Sequence, residues 1–180
     1  MLIIVGSRRD GNTLKLAKMV QTELEKDRIT SDIIVPGNQK IHICTGCMDC
    51  DKNGVCDFTD DMKSNIEKIN KENILLFITP TRWNLLSGDI KIFMDRLNPL
   101  YSTSGLKGKK MIAVSIGAKP KDVYSTESST FSLRNFAEAA AMDCVLSKDF
   151  NDCLGANDIL LKDAEVEDFI KDVKRIAQEN

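Results

Sequence analysis

Leu2-Ile3-Ile4-Val5-Gly6-Ser7-Arg8-Arg9-Asp10-Gly11-Asn12-Thr13 runs from an apolar, mostly β-branched stretch into a loop with two glycines, and then into a segment of helical spacing. Four apolar residues in a row read as a strand covered on both faces, the habit of a parallel sheet. Working outward, comparable runs recur at Ile33-Ile34-Val35, at Ile74 to Ile78, at Met111 to Ile116 and, more weakly, at Cys144-Val145-Leu146. The spacing predicts helices over about 12–27, 60–71, 89–98, 128–143 and 163–178. In the last, Val166, Phe169, Ile170, Val173, Ile176 and Ala177 form one apolar stripe opposite lysines and aspartates. Five strands alternating with five helices predict an α/β fold, an open parallel sheet with helices on both faces. The second and fifth runs are shorter with more polar flanks, as edge strands are. The expected strand order is therefore 2-1-3-4-5, with a ligand crevice at the carboxyl ends of strands 1 and 3.

A chain of 180 residues suits one domain, here 1–180, and the longest stretch without regular structure, about 36–59, reads as an insertion. A formal charge of −2 argues against a nucleic-acid binder. No apolar run is long enough for a membrane span, and the first residues lack the basic leader of a signal peptide. The expected location is the cytoplasm, where clustered thiols are more often metal-binding or catalytic than disulfide-bonded.

The loop from Gly6 to Thr13 has the makings of an anion site. A helix start presents unpaired N–H groups and the positive end of a dipole. Ser7, Asn12 and Thr13 add neutral donors, Arg8 and Arg9 add charge, and Gly6 and Gly11 let the backbone turn. It is neither a Walker loop nor a dinucleotide fingerprint; the plain alternative is a helix cap by Asn12 or Thr13. The third strand ends in Thr79-Pro80-Thr81-Arg82-Trp83-Asn84-Leu85-Leu86-Ser87-Gly88, which holds the only tryptophan. Flat Trp and Arg faces suit a planar aromatic ligand between this loop and the first; otherwise Trp83 plugs a gap beneath its own loop. Gly117, after the fourth strand, allows backbone to approach the same rim.

Cys44, Cys47, Cys50 and Cys56 follow a C-x2-C-x2-C-x5-C spacing. Tetrahedral zinc usually takes two separated cysteine pairs. Successive x2 spacings are the habit of a [4Fe–4S] cluster, with Cys56 as fourth ligand. Zinc, free thiols and a Cys44–Cys47 redox pair remain the alternatives. Asp49, Asp51, Asp57, Asp60 and Asp61 surround the cysteines, either as an acidic face that disfavours an acidic carrier or as caps and solvated groups. Asp95 and Arg96 read as structural ties.

GSRRDGNT, TPTRW followed by SGDIKIFMDR, and CTGCMDC with its downstream Cys56 resemble, in order and spacing over about the first 120 residues, the NAD(P)H-dependent FMN reductase and iron–sulfur flavoprotein family. The resemblance implies a flavodoxin-like three-layer sandwich, bound FMN and a homodimer or homotetramer. It places Ser7, Arg9, Gly11, Asn12 and Thr13 at the FMN phosphate, Pro80, Thr81, Arg82, Trp83, Asn84 and Leu85 along the ring, and Gly117 at the closing edge. The first loop is one residue shorter than the family pattern, so either Arg8 or Arg9 takes the place of the family arginine. The implied activity is FMN-dependent oxidoreduction, with electrons passing between FMN and a [4Fe–4S] cluster and with NAD(P)H or a protein carrier as partner. An NAD(P)H-dependent FMN or quinone reductase without a cluster, and a flavodoxin-like carrier without turnover, are the other readings. Hydride transfer to flavin requires no side-chain acid or base, and none is assigned.

Overall fold

Strands that are apolar on both faces need a helical layer on each side, and the chain supplies both. β1 (Leu2–Val5), β3 (Ile74–Pro80) and β4 (Lys110–Ile116) form the centre of a parallel sheet, while β2 (Asp32–Ile34) and β5 (Asp143–Phe150) form its edges. The structure is a computed structural model that describes residues 1–123 and 126–179. Across them the sheet has five strands in the order β2-β1-β3-β4-β5, as expected.

Alternation along each strand sorts the core into two layers. Ile3, Val5, Leu76, Ile78, Ile112 and Val114 pack on one side with α1 (Asn12–Lys26) and α7 (Asp163–Gln178). Leu2, Ile4, Leu75, Phe77, Met111 and Ala113 pack on the other with α3 (Met62–Lys71), α4 (Gly88–Asp95) and α6 (Glu127–Ala139). Each such side chain, once buried, contributes about 1.5–3 kcal/mol. The stripe on α7 is buried as expected, with Val166, Phe169, Ile170, Val173 and Ile176 all in the core. Among the described residues no helix is long and apolar enough to cross a membrane.

Three boundaries differ from expectation. The helix expected over 128–143 stops at Ala139, because Ala141 turns left-handed (φ 54°). The Met142 N–H then bonds the Ala137 carbonyl at 2.8 Å and the Ala141 N–H bonds that of Glu138 at 3.0 Å. This is a Schellman stop made without glycine. β5 is consequently longer than the run Cys144 to Leu146 and extends to Phe150. The helix expected over 89–98 ends at Asp95, and a separate short helix, α5 (Asn98–Ser102), follows with Pro99 in its first turn. Pro99 has no N–H to bond the Asp95 carbonyl, which interrupts the ladder between the two. The 36–59 stretch is irregular apart from a 3-10 turn at Pro36–Asn38 and one helical turn, α2 (Cys50–Asn53).

Gly6 follows β1 and meets the start of α4. A Cβ there would overlap Ile90 Cγ1 and lie 2.6 Å from Ser87 Oγ. Gly6→Ala is therefore expected to destabilise the fold by about 1–3 kcal/mol, seen as a lower urea midpoint at unchanged slope.

Candidate functional site

The first loop leaves β1 at the carboxyl rim of the sheet and enters α1 with Gly11 as its N-cap, unassisted by any side chain. Lys15 is the first helix residue whose N–H finds a carbonyl behind it, that of Gly11 at 3.0 Å. The N–H groups of residues 12–14 therefore remain open at the helix start. They face a cavity of about 270 Å³ lined by Ser7, Arg9, Gly11, Asn12, Thr13, Pro80, Thr81 and Arg82, and closed by Ile116, Ala118, Cys153 and Leu154. A polar pocket at a helix start with two arginines on its wall suits a phosphate.

The two arginines of the loop part company. Arg9 lines the cavity, whereas Arg8 turns away to bond Asp89, in the first turn of α4, at 3.0 Å. Asn12 has a different task from the one expected. Its amide donates to the carbonyls of Cys153 (3.1 Å) and Gly155 (2.7 Å), and its oxygen accepts from the Ile159 N–H (3.1 Å). Both amide hydrogens are spent, so the Asn12 side chain braces the 153–159 loop and offers only its backbone N–H to an anion.

The loop after β3 closes as a two-residue hairpin. Arg82 and Leu85 exchange backbone bonds of 2.9 Å in both directions, and Trp83 (φ 50°) and Asn84 (φ 58°) occupy its left-handed tip. A bulky residue in that region costs about 1–3 kcal/mol. Trp83 plugs no gap, since it is 99% exposed. Trp83, Asn84, Gly117, Ala118, Lys119 and Thr126 line, with Thr81, a second cavity of about 430 Å³. The two cavities share Thr81 and Ala118 and so adjoin. Arg82 lines the first rather than the second, and the Leu85 side chain is exposed and lines neither. On the wall of the second, Thr126 Oγ1 is buried without a partner among the described residues, and its methyl fills the space a Cβ on Gly117 would need. Together the cavities fit a ligand with an anionic tail and a planar, hydrogen-bonding head. A larger groove, about 640 Å³ between α1 and α7, is lined by Met19, Val166 and Ile170 together with charged residues such as Lys18, Glu23, Glu167 and Lys171.

The cysteine loop is held to the far end of α4. Arg96, the C-cap of α4, and Asp60 have side chains only 1% exposed. Nη1 of Arg96 donates to Asp60 Oδ2 (2.6 Å) and to the His42 carbonyl (2.8 Å), and Nη2 donates to Asp60 Oδ1 (3.1 Å). Phe58 lies between the guanidinium, 5.0 Å from its ring centre, and the His42 ring stacked on it at 4.9 Å. The Ser102 hydroxyl donates to the Cys50 carbonyl at 2.9 Å, and Gly54, in the left-handed region (φ 72°), sits against Thr103. Cys50 is buried, Cys56 half-buried, and Cys44 and Cys47 exposed. Four soft thiols in one loop, with the Asn98 amide 3.1 Å from the Cys50 sulfur, suit an iron–sulfur cluster by the chemistry of the donor set. The Cys47 sulfur also lies within 4.8 Å of Asp49 and Asp57 oxygens. Most of the acidic run serves the scaffold: Asp60 pairs with Arg96, Asp61 accepts from the Lys40 N–H, Asp51 from Asn98 and Asp49 from Lys52.

Ala118 lies beside Gly117 at the rim, as its small-residue turn suggests, whereas Thr126, Lys119, Cys153 and Leu154 escaped the sequence reading. They come from loops without periodicity, and only the topology brings them to the rim. Glycine after an apolar strand, as at Gly117, was the one usable signal.

A family model for NADPH-dependent FMN reductases matches residues 1–150. The chain belongs to that family. An iron-sulfur flavoprotein of Methanocaldococcus jannaschii is 28% identical over 116 residues, covering 64% of this chain and 60% of that protein. An iron-sulfur flavoprotein of Archaeoglobus fulgidus is 31% identical over 124 residues, covering 67% of this chain and 56% of that protein. The chain thus spans a little over half the length of these curated relatives. Among solved structures, a flavone reductase superposes with a TM-score of 0.76 at 17% identity, over 98% of this chain and 61% of that one. A WrbA-like flavodoxin from Agrobacterium tumefaciens gives 0.67 at 13% identity, over 99% and 96%. At these identities the structural matches establish the flavodoxin-like fold alone.

Burial by itself would push the Asp60 carboxyl up, but the Arg96 guanidinium and the N–H groups of His42 and Met62 outweigh it and hold it well below the usual carboxylate range. Its contribution to stability is complete above the unfolded value of about 4 and is lost as pH falls below it. Urea unfolding is expected to show stability dropping between about pH 5 and pH 3. Asp60→Asn is expected to be about 3–5 kcal/mol less stable near neutrality and to lose that part of the acid slope.

Proposed function

We propose that this chain is an FMN-dependent oxidoreductase that passes electrons between FMN and a [4Fe–4S] cluster held by Cys44, Cys47, Cys50 and Cys56. The observation that carries the flavin half is the pair of adjoining cavities, one polar at the start of α1 and one between the Trp83 hairpin and the Gly117 loop. Ser7, Arg9, Gly11, Thr13 and the open N–H groups of α1 hold the phosphate, with Arg82 beside them. Pro80, Thr81, Trp83, Asn84 and Gly117 receive the ring, and Thr126 gives its unpartnered hydroxyl to a polar ring edge. Asn12 and Arg8 act one step back, bracing the walls. The cluster half is supported by the cysteine donor set and by two relatives that carry the name iron-sulfur flavoprotein.

FMN supplies two-electron hydride chemistry with NAD(P)H and the cluster supplies one-electron exchange. The protein's own part is position, electrostatics and exclusion of water. The partner is NAD(P)H, another small electron donor or acceptor, or a protein carrier. The functional unit is a homodimer or homotetramer, and the exposed Trp83 and Leu85 beside the cavity give a second copy something to cover.

Purification without oxygen, followed by absorption spectroscopy with iron and sulfide assays, tests both halves. Flavin bands over a broad shoulder, with about four irons per chain, are expected. Flavin without iron would leave a cluster-free reductase, and zinc without flavin would overturn the proposal. Bleaching by NADPH separates an enzyme from a carrier without turnover. Arg9→Ala is expected to weaken FMN binding to the deflavinated protein by about 10- to 100-fold, the worth of a charge-assisted bond. Arg8→Ala should stay within about threefold of wild type, since Arg8 faces Asp89; both are read by quenching of FMN fluorescence.

A further inference from the structure

A donor reaches the buried Cys50 sulfur from the first residue of α5, Asn98. The Asn98 amide nitrogen lies 3.1 Å from Cys50 Sγ and 2.8 Å from Asp51 Oδ1. A carboxylate only accepts hydrogen bonds, so the atom that faces Asp51 is the nitrogen, and the same NH2 group presents its second hydrogen to sulfur. Asp51 takes only one of the two Asn98 amide hydrogens, so the other is available to sulfur. Cys47, by contrast, has carboxylates for neighbours. The surroundings of the sulfurs are thus unequal, with a donor at Cys50 and negative charge at Cys47.

We infer that Asn98 is a positioning residue for the cluster, giving an N–H···S hydrogen bond to the Cys50 thiolate and raising the cluster's reduction potential. The inference rests on the cluster assigned above. One-electron reduction adds negative charge that spreads onto the sulfurs, which makes them stronger acceptors. A donor aimed at one of them stabilises the reduced state more than the oxidised one.

The test is a redox titration of the anaerobically purified protein, with cluster and flavin followed in the same sample and iron and sulfide assayed beside it. Asn98→Ala is expected to lower the cluster's reduction equilibrium constant roughly three- to tenfold, a tenfold change being about 59 mV for one electron. Asn98→Ser keeps a donor and should recover part of the shift, and the flavin couple should stay at its wild-type value in both. An Asn98→Ala cluster at wild-type potential overturns the inference while the cluster assignment stands. So does a variant that merely loses iron while its remaining clusters keep that potential. Wild-type protein without iron and sulfide overturns the inference and the cluster assignment together.

Discussion

The Arg96–Asp60 ion pair is the constraint on which the arrangement of the site depends. Both side chains are 1% exposed, and removing two charges from water costs several kcal/mol per ion unless geometry and further hydrogen bonds recover it. Here two guanidinium nitrogens meet both carboxylate oxygens, and the backbone N–H groups of His42 and Met62 also donate to that carboxylate. The pair unites residues that have no reason to meet otherwise: the end of α4, the approach to α3 and, through the His42 carbonyl, the start of the cysteine loop. The further anchors of that loop on Asn98, Ser102 and Thr103 belong to α5 and its C-cap, and α5 begins two residues after Arg96.

α4 thereby acts as a spar. Its N-terminus is capped by Ser87, whose N–H bonds the buried Thr79 hydroxyl at 3.1 Å beneath the Trp83 hairpin. Its first turn carries Asp89, which takes Arg8 from the phosphate-side loop. Its last residue leads to Arg96 and the cysteines. Eight helical residues span about 12 Å, so three loops far apart in sequence hang from one short rigid element. The spacing between the two halves of the proposed redox pathway within one chain is set by this helix.

Much of the fold was legible because parallel strands covered on both faces leave long apolar runs, and α7 leaves a clean stripe. What could not be read was local and had physical causes. Three successive alanines, Ala139 to Ala141, carry no glycine to announce the stop that Ala141 makes in the left-handed region. The short α5 hides behind the pattern of α4 until Pro99 breaks it. Within the site, types and loops were legible, but side-chain directions were not. Adjacent arginines 8 and 9 point to different partners, and Asn12, a plausible phosphate donor by type, is consumed by carbonyls about 140 positions away. The cysteine spacing was plain in sequence, whereas the unequal surroundings of its sulfurs depend on tertiary placement of Asn98, Asp49 and Asp57.

Trp83 gives the molecule a built-in optical reporter. It is the chain's sole indole, and it stands in water on the wall of the second cavity even when the chain is folded. Its emission is therefore already that of a solvated indole, and global denaturation has little to change. A flat molecule or a second chain laid against it changes that environment at once. Fluorescence that in most proteins records the integrity of a core would record, in this one, who is at the door.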